Sequence, residues 1–265
     1  MGRNTRSIFL ANKLTMSVYI SYLYSFIIIV GLELSLIKPQ FFWWVGGITL
    51  LLNALFILFA TRSKFNLNFW NFLISPFIFL LSGLAFLGFS NDWIIKEIVI
   101  VFLVICNSIF LYWLIVHNYH KHKYKDHSLS NISRIINISS IFFLFSSAYD
   151  LRAFLKVPLW LLILVCTLVV YLIIYQFFSI SKIKFSTSKI FVIISTFLLI
   201  ELFYILNWLP IISVAKAVLI TSAYYFITST NRHYIQSTLA KTVWFRYSLV
   251  TGIIWFLTLI SARWE

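Results

Sequence analysis

Two ionisable residues interrupt long apolar stretches in the second half of the chain. Glu201 lies in KIFVIISTFLLIELFYILNW, and Lys216 in PIISVAKAVLITSAYY. A carboxylate can take up a proton or a cation, and an ammonium can hold an anion; together they form an ion pair. Glu201 precedes Trp208 by seven residues and Lys216 follows Pro210 by six. At helical rise these offsets put the two groups about 10 Å and about 9 Å along neighbouring helices from one shared turn. If the turn marks a membrane boundary, both groups lie at the same depth in hydrocarbon. Each would cost on the order of 2.5–3.5 kcal/mol unpaired near mid-bilayer. Mutual pairing is the expected compensation. The arrangement suits either an ion pair locking a helical hairpin or a polar pocket that binds a headgroup, a solute or a proton. Glu33 and Glu97 would join such a pocket if their helices are adjacent.

The remaining polar residues carry weaker chemistry. Asp92, Lys96, Asp150, Arg152 and Lys156 fall close to the ends of apolar runs, where long side chains reach water without a special role. Asn53 and Asn107 lie near the middle of such runs, and amides there are expected to hold helices together by hydrogen bonding. His117, His120, His122 and His127 are the only set with metal-ligand character. Interleaved lysines repel a cation there, so no metal site is expected. Cys106 and Cys166 each stand alone in apolar surroundings and read as buried hydrophobes. The chain has no H-E-x-x-H, G-x-S-x-G, P-loop or C-x-x-C motif, and no cofactor is expected.

The elements that must position these residues follow from composition. Hydrophobic residues make up 62% of 265 positions and charged residues 11%, against about a quarter charged in a soluble domain. Too little polar surface remains to face water, so lipid must be the solvent. A helical crossing needs roughly 20 apolar residues. Nine runs qualify, at approximately 16–36, 41–60, 69–89, 93–117, 132–154, 157–179, 190–208, 210–227 and 243–261. In lipid each run must satisfy its own backbone, and the runs are apolar on every face, which excludes strands. The expected fold is all-α: a polytopic transmembrane bundle of about nine spans, in one integral membrane domain over 1–265. The short connections at Ser90–Asp92 and Asn207–Pro210 leave seven as the lower count.

Charge orients the bundle. With the N-terminus inside, fifteen of the 21 basic residues fall on inner segments. They cluster at Arg3–Lys13, Arg62–Lys64, Lys121–Arg134, Lys182–Lys189 and Arg232–Arg246. Four fall outside (Lys38, Arg152, Lys156 and Arg263), and Lys96 and Lys216 lie within spans. Inner loops retain Lys and Arg, so the N-terminus is placed in the cytoplasm and the C-terminus outside. Nine of the ten tryptophans lie at or near run ends, where indole suits the headgroup boundary; Trp255 is the exception.

These features set the expected partners. The basic residues are scattered over five inner segments rather than gathered on one face, which argues against nucleic acid and for anionic inner-leaflet lipids. Protein partners are not specified. Gly46-Gly47, Gly83, Gly88 and Gly252 form no GxxxG pattern, and Pro76 should kink its helix. The expectation is a multi-pass protein of the cell membrane, transport-like or binding rather than enzymatic, with a polar pocket toward the outer leaflet. The alternatives are a membrane-embedded enzyme acting on a lipid or lipid-linked substrate, and a structural subunit of a membrane complex.

Overall fold

A computed structural model of the chain describes residues 3–37, 39–61, 67–119, 128–181, 183, 185–238 and 240–262. Among these the fold is all-helical, with nine α-helices and no strand. They are α1 (Arg3–Ile37), α2 (Phe42–Ala60), α3 (Leu67–Phe89), α4 (Trp93–Tyr119), α5 (Ser128–Leu155), α6 (Leu159–Ile180), α7 (Phe185–Leu206), α8 (Ser213–Ile235) and α9 (Lys241–Ser261). Eight of them are long and apolar enough to cross a membrane. The exception is α8, where Lys216 near one end and Thr-Asn-Arg-His near the other dilute the apolar run.

Why these stretches are helical follows from their composition and ends. Leu, Ile and Phe dominate, and an apolar medium offers backbone groups no partner but each other. Pro158 sits where a proline costs least. It caps α6 from the extended region, with φ −61° and ψ 134°, ahead of the first N–H that needs a partner. Pro76 stands inside a continuous α3. Two helices close through non-glycine residues in the left-handed region: Lys156 (φ 51°) after α5 and Ser237 (φ 54°) after α8. At the latter, Ser237 N–H donates to Tyr234 O at 3.0 Å and Thr238 N–H to His233 O at 2.9 Å. That pair of bonds is a Schellman closure of the orphan carbonyls.

The chain falls into two compact units, Met1–Leu80 with Ser90–Ile136, and Leu81–Phe89 with Asn137–Glu265. In the first, α1 packs on both α2 and α4, and α2 also meets α4. Tyr24, Ile28 and Leu32, spaced four apart on α1, are all essentially inaccessible, so one stripe of α1 makes the core. Polar bonds pin the three helices pairwise. Tyr24 O–H donates to Asn53 Oδ1 at 2.7 Å, the Ser25 and Ser108 hydroxyls meet at 2.6 Å, and Asn118 Nδ2 donates to Ala60 O at 3.1 Å. Asn53 thus joins helices, whereas Asn107 Nδ2 donates within its own helix, to Leu103 O at 2.9 Å. Gly31 makes the close crossing of α1 and α2: a Cβ there would lie 3.1 Å from Thr49 Cγ2 and closer still to Thr49 Oγ1.

In the second unit α6, α7, α8 and α9 pack in series. Polar ties join three helix pairs of this unit. Asn137 Nδ2 donates to Gln176 Oε1 at 2.7 Å, joining α5 to α6. Asn231 Nδ2 donates to Ser195 Oγ at 2.9 Å, joining α8 to α7. Trp255 Nε1 donates to Ser222 Oγ at 2.8 Å, joining α9 to α8. Trp255, the tryptophan placed deep in an apolar run, is half-buried and has a partner for its N–H. Aromatic packing fills the rest, with Phe86 against Phe142 and Phe143, and Phe145 and Tyr149 against Phe203.

Candidate functional site

The residues singled out from sequence fall into separate groups. Glu33 and Glu97 lie in the first unit, on the packed α1–α4 pair, with their carboxyl groups close to each other. The packing of α1 on α4 brings these two residues together, whereas Glu201 and Lys216, with which the sequence grouped them, belong to the second unit.

Glu201 and Lys216 belong to the second unit, and the helices that carry them, α7 and α8, are packed neighbours. Glu201 lies on the exposed side of α7, with Phe197 and Tyr204. Lys216 is half-buried, and its Nζ stands 5.2 Å from the centroid of the Tyr149 ring. A cation at that distance over an aromatic face is attracted by the ring quadrupole. The ring is itself fixed: Tyr149 is buried on α5, and its hydroxyl donates to Phe203 O of α7 at 3.0 Å. Its face also packs on the Phe203 ring at 4.9 Å. Three helices thus combine to hold one ammonium group.

Around Lys216 opens a recess of about 730 Å³, whose polar lining comes from Tyr149, Asp150, Arg152, Asn207, Ser213 and Lys216. The last turn of α5, the α7–α8 turn and the first turn of α8 supply these residues. The turn is built by short backbone bonds, among them Asn207 N–H to Phe203 O at 3.2 Å and Ile211 N–H to Leu209 O at 2.9 Å. It delivers Ser213 as the first residue of α8, with its hydroxyl beside the Asp150 carboxyl. Lys216 follows three residues later, one turn along the same face. Two cations, one carboxylate and one hydroxyl therefore line a single space. The positive end of the α8 dipole also falls here.

Sequence reading missed Asp150, Arg152 and Ser213. The first two looked like charges at a helix end, and the Ser-x-x-Lys spacing at 213–216 went unremarked. That spacing, directly after a proline-marked turn, was the available signal.

His117 lies at the end of α4, its ring 6.2 Å from that of Phe72. His120, His122 and His127 lie outside the described residues, and among the described residues no group of three or more His, Cys, Asp or Glu could hold a metal ion. Cys106 and Cys166 are buried and free.

With this geometry in hand, the comparison with known families is informative at one level. A family model described as a protein of unknown function, DUF5656, matches residues 23–261. The chain belongs to the DUF5656 family. No curated protein and no solved structure matches it. The stretch shared with the DUF5656 model contains both the Glu33–Glu97 contact and the whole lining of the recess. It therefore treats the two units as parts of one family unit. As a DUF5656 protein, the chain is a helical, multi-pass membrane-like protein, and its chemistry must be argued from its own residues.

Proposed function

We propose that this DUF5656 protein is a multi-pass binding protein of the cell membrane, transport-like in kind, and that the recess around Lys216 is its ligand site. The observation that carries the reading is the recess itself: about 730 Å³ lined by Asp150, Arg152 and Lys216 at the shared end of α5 and α8. Volumes of about 300–1,000 Å³ with a few convergent polar groups are typical of small-molecule sites. A charge placed only for solubility needs no fixed partner, yet Lys216 is held over a ring that is itself hydrogen-bonded. In the topology argued from charge, this end faces outward, while the scattered basic residues of the other face meet anionic inner-leaflet lipids.

The test replaces both cations without touching the core. The double variant Lys216→Met with Arg152→Gln should accumulate to the wild-type level and reproduce the phenotype of deleting the gene. A double variant that accumulates normally and behaves as wild type removes the recess from function.

A second reading, an enzyme acting on a lipid or lipid-linked substrate, is favoured by the Ser213 hydroxyl and the Asp150 carboxyl lining one recess, with Lys216 one turn away. A hydroxyl beside a carboxylate and an amine is the grouping from which acyl-transfer enzymes build a nucleophile. Glu201, exposed on α7, has no part in it. In that reading a fluorophosphonate probe should label the wild-type protein and spare Ser213→Ala. Equal labelling of both, or of neither, rejects the serine as a nucleophile.

A further inference from the structure

We infer that the ligand of the recess carries a net-anionic phosphate ester group, one with no cation of its own beside it, held between Arg152 and Lys216; this rests on the binding reading above. The lining has two cations, Arg152 and Lys216, against one carboxylate, Asp150. The balance therefore favours an anion over a cation. A planar guanidinium pairs two oxygens of a phosphate side by side, and the ammonium adds a point charge of the same sign. The amino end of α8 contributes N–H groups and a positive dipole end to the same space. Tyr149 keeps Lys216 in place before the ligand arrives, which reduces the ordering cost of binding.

The rim says what else the ligand has. Phe154 is 68% exposed, Val214 42% and Ile212 39%, all among the lining residues. Apolar side chains beside a charged floor match a molecule with an anionic head and an apolar body. The volume, about 730 Å³, also exceeds what a bare phosphate fills, leaving room for a glycerol-sized or larger headgroup. The shared chemistry is the phosphate ester, and two sources supply it: a membrane phospholipid or a water-soluble phosphate ester.

The experiment uses the full chain purified in detergent and read by native mass spectrometry. The probes are phosphatidylglycerol, phosphatidylcholine and glycerol 3-phosphate. Wild type should retain at least one anionic phosphate ester, phosphatidylglycerol or glycerol 3-phosphate, at about tenfold lower concentration than phosphatidylcholine. The variant Lys216→Met/Arg152→Gln should lose that preference. A control with the same loss of charge elsewhere, Lys241→Gln/Arg246→Gln, should keep it, which separates the recess from general attraction to basic surface. Preference for phosphatidylglycerol identifies a lipid source, and equal or better binding of glycerol 3-phosphate a soluble one; both support the phosphate site. If neither anionic probe depends on Arg152 and Lys216, the phosphate assignment is overturned. It falls alone if the double variant still shows the deletion phenotype, and the binding reading falls with it if that phenotype is absent.

Discussion

Gly31→Ala should destabilise the first unit by about 1–3 kcal/mol, although glycine-to-alanine changes in exposed helices ordinarily stabilise by up to ~1 kcal/mol. The reason is the crossing of α1 and α2. A Cβ at position 31 would meet Thr49 Oγ1 inside contact distance, with Thr49 Cγ2 at 3.1 Å and Cβ at 3.3 Å. Thr49 has little room to retreat, being 2% exposed with its hydroxyl donating to Val45 O at 2.8 Å. Adding Thr49→Ala should recover most of the loss, because the two nearest atoms are then gone. Gly252→Ala is the control: nothing lies within 4 Å of a Cβ there, so it should be neutral or stabilising. Thermal unfolding in a fixed detergent, followed as a double-mutant cycle, measures all four proteins. Equal effects of Gly31→Ala and Gly252→Ala would show that α1 and α2 do not cross closely.

Tyr149→Ala should cost about 3 kcal/mol or more, the range for deleting a buried aromatic side chain. Tyr149 ties α5 to α7 through Phe203, by a hydrogen bond of 3.0 Å and a ring contact of 4.9 Å. Tyr149→Phe should cost only about 1 kcal/mol, the net worth of one hydrogen bond. The pair separates architecture from site chemistry. Phenylalanine keeps the ring face under Lys216, so ligand binding should survive in Tyr149→Phe and fail in Tyr149→Ala even where the protein still folds. The same unfolding assay, with ligand retention by mass spectrometry, checks both. Loss of retention in Tyr149→Phe would mean that the hydroxyl, not the ring, serves the site.

The limits of sequence reading are visible in α7 and α8. Helix ends were legible because lipid permits only helices and the apolar runs stop at polar clusters. The run 93–117 became Trp93–Tyr119 and the run 243–261 became Lys241–Ser261. Polar turns that find partners inside the protein blurred other ends. The run at 210–227 becomes a helix reaching Ile235 because Asn231 bonds to Ser195 across the helix pair. The positions of Glu201 and Lys216 along their helices, on either side of one turn, were legible from rise alone. Their facing was not, since depth does not fix rotation about the axis. Each residue turns the helix by about 100°, so Glu201 and Phe203 point to nearly opposite sides. Val192, Leu199, Phe203 and Leu206 form the buried stripe, which leaves Glu201 exposed. Because α7 is apolar all round, no amphipathic pattern announced which face would be buried.

The Glu33–Glu97 contact and the recess failed to show for a related reason. Both depend on which helix ends meet, and in lipid that choice is made by close packing and scattered polar ties rather than by a hydrophobic face. Gly31 illustrates the point. It belongs to no GxxxG pattern, and its partner is a threonine on another helix. In sequence Asp150 and Arg152 read as charges at the end of α5; in the fold they line one recess with Asn207, Ile211 and Ile212 of the α7–α8 turn.

The most direct test of the account is whether α8 crosses the membrane with the recess on the outer side. Its 23 residues span about 35 Å at helical rise, enough for ~30 Å of hydrocarbon. Single cysteines at Ser213→Cys and Thr238→Cys, with Cys106 and Cys166 replaced by alanine, mark its two ends. A membrane-impermeant thiol reagent applied to intact cells should label position 213 at once and position 238 only after the cells are opened. Labelling of both positions from one side, or of position 213 only from within, would contradict the account.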